Sequence, residues 1–334
     1  MRAVAAAAGV STSAVSQALN GTGRISAATR RRVVAAAGEL GWSPSAAATA
    51  LRSARTRTLA LVVRRPTDVL GADPHFGELI TGLESELSPR GYGLLLHLVA
   101  DVAEESTLYE RLVAEGRVDG AVLTDARVDD PRPPLLHSLG LPAVLLGGDP
   151  DEAGPVPRVG LGGQGAGVRE AVAHLLSLGH RRIGYVAGPA ELLHTRSRQA
   201  AFEAALGEAG LRPAAVVHTD FSEAAAVTAT HETLAGADRP TALVFANDSM
   251  AVCGVGAALR AGLRVPADLS VVGYDDLPLG RWLHPRLTTV DQQVREVGAA
   301  AARALLARLG EAGVVPAPPT GRPRLLVRDS TGPC

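Results

Sequence analysis

Two consecutive carboxylates, Asp275 and Asp276, are the groups in this sequence that could divide acid and base roles between them. They stand at the end of a strand-like run, where neighbouring side chains diverge, so only one can face a shared cleft. His231-Glu232 opens like a zinc-protease helix, but Ala235 stands where the second His ligand must be. Gly160-Leu161-Gly162-Gly163-Gln164-Gly165 spells a dinucleotide fingerprint. That motif needs an acidic residue about 20 positions on and a place in the first strand unit, and it has neither here. Cys253 and Cys334 cannot build a disulfide framework or a cysteine metal cage, which suits a reducing cytoplasm. No Ser, Cys or Lys nucleophile has a supporting partner in the sequence, and Lys is absent altogether. These residues argue against an enzyme and call for no cofactor and no metal.

Groups that could grip a small ligand are better placed. From residue 59 the pattern alternates short aliphatic strands with amphipathic helices: 59–63, 77–87 and 94–98, then again 183–187, 199–208 and 215–217. Such alternation predicts parallel sheets covered by helices, and its recurrence predicts two related lobes. Further strands over 121–124, 143–146, 242–245 and 270–272 extend the scheme. Ligands of such sheets collect beyond the carboxyl ends of the strands. There the sequence places Thr124, Asn247 and Asp275. The loop carrying His75 and Phe76 follows the first strand, Arg196 and Arg198 open a helix after Gly188, and Phe221 begins another loop. Trp282, one of two Trp, is either a stacking platform or a residue packed beneath a loop.

The chain has 334 residues, 46% of them hydrophobic and only 3% aromatic, so two or three domains with cores of small aliphatic side chains are expected. No apolar run reaches the roughly 18 residues of a membrane span. The net charge of −1 hides an asymmetry: residues 1–58 carry eight Arg against one acid, Glu39, a net +7 that leaves −8 on the rest. A basic module on an acidic body suits a polyanion-binding head.

Within that head, the helical run 2–8 is broken at Gly9-Val10-Ser11, and Ser11 can cap a second helix on which Val15 and Leu19 share a face. Ser26 can cap a third, with Val33, Val34, Ala37 and Leu40 on one side. Three short helices with a tight glycine turn describe a helix-turn-helix. Its second helix would present Thr12, Ser13 and Gln17 to base edges in a major groove, and Ser16 and Asn20 to phosphates. Gln17 can make a bidentate contact to adenine. The Ala-rich segment after Pro44 is too short for an isolated helix. It is either a flexible linker or a helix that orders against a second copy on a minor groove, with Leu51 as an apolar wedge.

The run Gly9 to Gly21, GVSTSAVSQALNG, resembles the head of LacI/GalR-family regulators, and the likeness extends along nearly the whole chain. Gly41-Trp42-Ser43-Pro44, Leu51-Arg52, Leu178-Gly179-His180-Arg181-Arg182-Ile183, Ala246-Asn247-Asp248, Val272-Gly273-Tyr274-Asp275-Asp276 and Leu287-Thr288-Thr289-Val290 also carry it. The resemblance implies a helix-turn-helix head over 1–43, a hinge helix and linker over 44–58, and a two-lobed, type I periplasmic-binding-protein-like α/β body over 59–334. It implies that Thr12, Ser13 and Gln17 read bases, that Leu51 intercalates, and that His75, Phe76, Arg198, Phe221, Asn247 and Asp275 face a small-molecule effector. The expectation is a cytoplasmic, homodimeric transcriptional repressor on a pseudo-palindromic double-stranded operator, with no membrane partner. A secreted solute-binding protein is the alternative, because the Ala-rich start faintly imitates a signal peptide.

The sequence departs from the family in four places. The first helix begins almost at Met1, so either the start lies upstream or the head is weakened. Gln17 stands where many members have Arg. Gly147 replaces an Asp, and Gly162-Gly163 replace an Asp-Asn pair, which leaves open a small polar effector other than a typical sugar.

Overall fold

The computed structural model describes residues 1–20, 23–42, 55–65, 74–148, 154–160, 163 and 165–334. They form two compact units, Met1–Thr56 and Arg57–Cys334. In the first unit α1 (Arg2–Ala8) ends at Gly9, whose φ of 62° is the left-handed conformation that glycine adopts at least cost. Ser11 Oγ then accepts from Ala14 N at 3.1 Å and starts α2 (Thr12–Asn20). Ser26 accepts from Thr29 N in the same way at the head of α3 (Ala27–Glu39). Val4, Ala5, Ala8, Val15, Ala18, Val33, Ala36 and Ala37 make the core. Val34 and Leu40, read from the sequence as sharing a face with Val33 and Ala37, are exposed while those two are buried. With alanines lining the other helices, the inward stripe of α3 is narrow and stops at Val33, Ala36 and Ala37.

The second unit holds two sheets. The first has the order β2-β1-β3-β4-β5, from β1 (Thr58–Val63), β2 (Gly93–Leu98), β3 (Gly120–Leu123), β4 (Ala143–Leu146) and β5 (Arg158–Val159), all parallel. The second has the order β11-β10-β9-β8-β6-β7. Its strands are β6 (Ile183–Ala187), β7 (Ala215–His218), β8 (Ala242–Phe245), β9 (Ser270–Tyr274), β10 (Thr288–Asp291) and β11 (Arg324–Leu326). The parallel sheets read from the sequence are present, and the second is mixed at one edge, where β11 runs antiparallel to β10. It is an edge strand supplied by the chain's end, where no helical crossover has to be made.

Alternate residues of β1 enter different cores. Leu59, Leu61 and Val63 pack on α4 (Pro74–Leu87) and α11 (Val294–Arg308), while Ala60 and Val62 pack on the opposite side with α5 (Val102–Ala114) and α6 (Arg132–Ser138). The second sheet is covered by α7 (Ala166–Ser177) and α8 (Leu193–Glu208) on one face, and by α9 (Glu223–Leu234) and α10 (Asp248–Arg260) on the other. Helix α11 follows β10 of the second lobe yet packs on the first, so it ties the lobes together. Its contact with α4 is backbone to backbone. A Cβ on Gly82 would lie 2.1 Å from the carbonyl oxygen of Arg295, and one on Gly298 would lie 2.6 Å from that of Leu79.

The lobes also meet through an isolated antiparallel bridge. Leu193 N donates to Ala126 O at 2.8 Å and Val128 N to Glu191 O at 3.0 Å, and Leu193 packs against the first lobe's core. The loop 125–130 is fixed for this by buried ion pairs. Arg132 grips Asp130, both Arg132 and Arg127 reach Glu105, and Arg132 also donates to Asp125 O at 3.0 Å. Among the described residues no helix is long and apolar enough to cross a membrane.

Candidate functional site

The carboxyl ends of the two sheets converge on a cavity between the lobes, about 120 Å³ in volume and partly open to solvent. His75, Phe76, Thr124, Arg198, Phe221, Asn247 and Asp275 all line it. Each comes from a strand end or the helix after it, as the carboxyl-edge rule requires. Arg196 and Trp282 do not line it. Arg196 is exposed, its Nε donating to Ala190 O at 2.7 Å, and Trp282 is 86% exposed on the loop after β9. On a helix entering the cavity, positions 196 and 198 point about 200° apart, so only one can face it.

Several lining residues lie outside the sequence-derived set: Arg65, Asp125, His194, Tyr274 and Gln292. Tyr274, Asp125 and Gln292 end or closely follow β9, β3 and β10, and the strand-end rule reaches them once those ends are known. His194 was hidden because α8 begins at Leu193, six residues before the start read from the sequence.

The polar groups are organised before any ligand arrives. Arg198 lies over the Tyr274 ring at 3.6 Å, donates Nη1 to Ala246 O at 3.1 Å and Nη2 to Gln292 Oε1 at 3.0 Å. Gln292 Nε2 in turn donates to Asp275 Oδ1. Arg198 Nε is buried with no hydrogen-bond partner among the described residues. His75 Nδ1 lies 3.7 Å from Asp275. Asn247 caps α10, accepting from Met250 N at 2.8 Å.

The paired carboxylates diverge as expected. Asp275 enters the cavity, while Asp276 turns out to Arg281 and Arg328. Asp248, beside Asn247, is structural: it accepts from Leu277 N at 2.7 Å and from the Thr289 hydroxyl at 2.5 Å. Burial and the neighbouring Asp275 and Asp276 push its carboxyl well above the ordinary range. Three residues lining the cavity, Asp125, Phe221 and Asp275, have φ between 50° and 120°. Non-glycine residues in that region are strained, and such strain gathers at functional sites.

His194 stacks on Phe221 with centroids 6.1 Å apart. Burial, then the Arg198 and Arg65 cations, lower its pKa from the ordinary 6.5 to about 3, against a smaller opposing pull from Asp125. The folded body therefore binds fewer protons at this site than the unfolded chain below pH 6.5, and stability falls as pH falls. Acidification from pH 6.5 to 5 is expected to cost up to about 2 kcal/mol through His194. Urea midpoints measured across that range should show a shallower slope in His194→Gln; an identical slope would remove the assignment.

In the head, Thr12, Ser13 and Gln17 are exposed on α2 and Ser16 is half-buried, as a groove-facing surface needs. Arg24, Arg30, Arg31 and Arg32 are exposed near them in sequence. Asn20 ends α2, and Leu51 falls outside the described residues.

Residues 1–45 match bacterial regulatory proteins of the lacI family, and residues 172–331 match the periplasmic binding protein-like domain. The repressor PurR of Photobacterium profundum is 34% identical over 309 residues, covering 92% of this chain and 90% of that protein. The chain belongs to the LacI family. The regulator CelR of Thermobifida fusca is 35% identical over 332 residues, covering 98% of this chain and 96% of that protein. The Lac repressor dimer solved with operator and the anti-inducer ONPF has a TM-score of 0.84 at 28% identity, covering 98% of each chain. The protein is thus a LacI-family transcriptional regulator with a helix-turn-helix head and an effector-binding, type I periplasmic-binding-like body. These relatives are regulators, not enzymes. The match of the head to a regulatory family leaves the solute-binding alternative unsupported.

Proposed function

We propose that this LacI-family regulator is a cytoplasmic, non-enzymatic, homodimeric repressor of a pseudo-palindromic operator, released or retained by a small polar metabolite bound between its lobes. Two-fold symmetry sets two heads into successive half-sites of the duplex. Thr12, Ser13 and Gln17 read base edges, Ser16 and Asn20 hold phosphates, and Leu51 wedges into the minor groove at the operator centre.

The observation that carries the effector reading is the chain of Arg198, Gln292 and Asp275, three hydrogen-bonded polar side chains that all line the cavity. Arg198 and Asp275 grip opposite polar groups of the ligand, with His75, Thr124 and Asn247 around them and Phe76 and Phe221 as walls. Effector binding shifts the lobe arrangement and with it the ability of the two 44–58 segments to order on DNA, a coupling of about 1–3 kcal/mol. The Lac repressor structure was solved as a dimer on operator with an anti-inducer bound, which supports the same arrangement here.

Selection of bound sequences from random duplex DNA by the full-length protein is expected to return a two-fold-related site. Gln17→Arg should change the preferred base at one position of each half-site, by about 1–3 kcal/mol of discrimination. No preference over random duplex would defeat the operator reading, and an unaltered preference in the variant would remove Gln17 from the reading set.

A further inference from the structure

Phe76 and Phe221 line the cavity, each with a ring face already covered by a cation. Arg65, just beyond β1 in the first lobe, lays its guanidinium over Phe221 of the second lobe at 4.5 Å and over Phe76 at 5.3 Å. Both distances are within cation–π range. The guanidinium is fixed there by a two-pronged pair with Asp125, Nε to Oδ2 at 3.1 Å and Nη2 to Oδ1 at 2.9 Å, with side chains only 10% and 13% exposed. Phe221 is equally constrained. Its φ is 70°, His194 stacks on it, and a Cβ on Gly188 would come within 2.2 Å of its ring. The clamp is therefore a rigid assembly of flat groups already stacked on one another, and it crosses the cleft.

We propose that Arg65 is a selectivity residue of the effector cleft, which bars flat heteroaromatic rings from the Phe76 and Phe221 faces and so favours a non-planar ligand rich in hydrogen-bond acceptors. The assignment rests on the cleft being the effector site. A flat ring gains most of its affinity by stacking. Here it would have to displace Arg65 and strand the Asp125 carboxylate, which the Arg65 guanidinium, against the opposing effect of burial, holds far below its ordinary pKa. A puckered, acceptor-rich molecule depends less on a phenyl face than a flat ring does and meets the polar groups of His75, Thr124 and Asn247 instead. Neither carboxylate nor guanidinium of the clamp need move for it.

The test uses adenine as a flat, uncharged probe and calorimetric titration of the full-length protein. Arg65→Ala/Asp125→Asn removes the guanidinium without leaving a lone buried charge. This double variant is expected to bind adenine at least tenfold more tightly than the wild type, and the gain should vanish when Phe221→Ala is added. Equal adenine affinity in wild type and double variant, or a gain that survives Phe221→Ala, would overturn the proposal. Should the double variant melt far below the wild type, Arg65→Ser/Asp125→Asn, which leaves a small hydroxyl beside the amide and no lone buried charge, carries the same expectation. Failure of the cleft itself reads differently: Arg198→Ala would then keep its full effector response whatever Arg65 does.

Discussion

Arg198→Ala is expected to weaken effector binding by two to three orders of magnitude while operator affinity without effector stays within about twofold. The side chain does three things at once: it lines the cavity with a fixed cation, satisfies Ala246 O, and holds Gln292, which holds Asp275. Losing a charge-assisted ligand bond costs about 1.5–3 kcal/mol. Freeing Asp275 loosens a second ligand contact, bringing the total to roughly 3–4 kcal/mol, or two to three decades in Kd. Arg198→Lys should not rescue it, because an ammonium cannot make the planar fork or lie flat on Tyr274. The head is a separate compact unit and is expected to keep reading DNA. Fluorescence anisotropy of labelled operator, titrated with a ligand first found by thermal-shift screening, gives both numbers. An undiminished response would displace Arg198 from the recognition set.

Gly82→Val should produce the largest loss of stability, about 3 kcal/mol, seen as a fall in melting temperature of roughly 5 °C for a body of this size. Its Cβ would fall 2.1 Å from a backbone oxygen of α11, and backbone cannot swing aside as a side chain would. Relief requires α11 to move off α4, which drags Val294 and Val297 out of the cavity wall, so effector response should fall with stability. Gly77→Ala on the same helix is the control. Nothing lies within 4 Å of a Cβ there, and alanine's helix propensity makes the change neutral or stabilising by up to about 1 kcal/mol. Comparable losses at both positions would show that helix propensity, rather than the close crossing, governs α4.

The sequence alone determined the head, the two-lobed alternation and seven of the cavity residues, because those signals are local. Ser11 and Ser26 cap helices through their own neighbours, and strand ends are visible in the aliphatic pattern. Only the tertiary structure decided which side chains share the cavity. Arg65 and Asp125 are 60 positions apart and meet because β1 and β3 are adjacent in the sheet; Arg65 and Phe221 meet because the lobes face each other. Arg196 and Trp282 had the right chemistry, but helix phase and loop exposure carried them away. Residue type and local period fix what a segment becomes, whereas contact across the cleft depends on strand order and lobe packing, which no short stretch of sequence encodes.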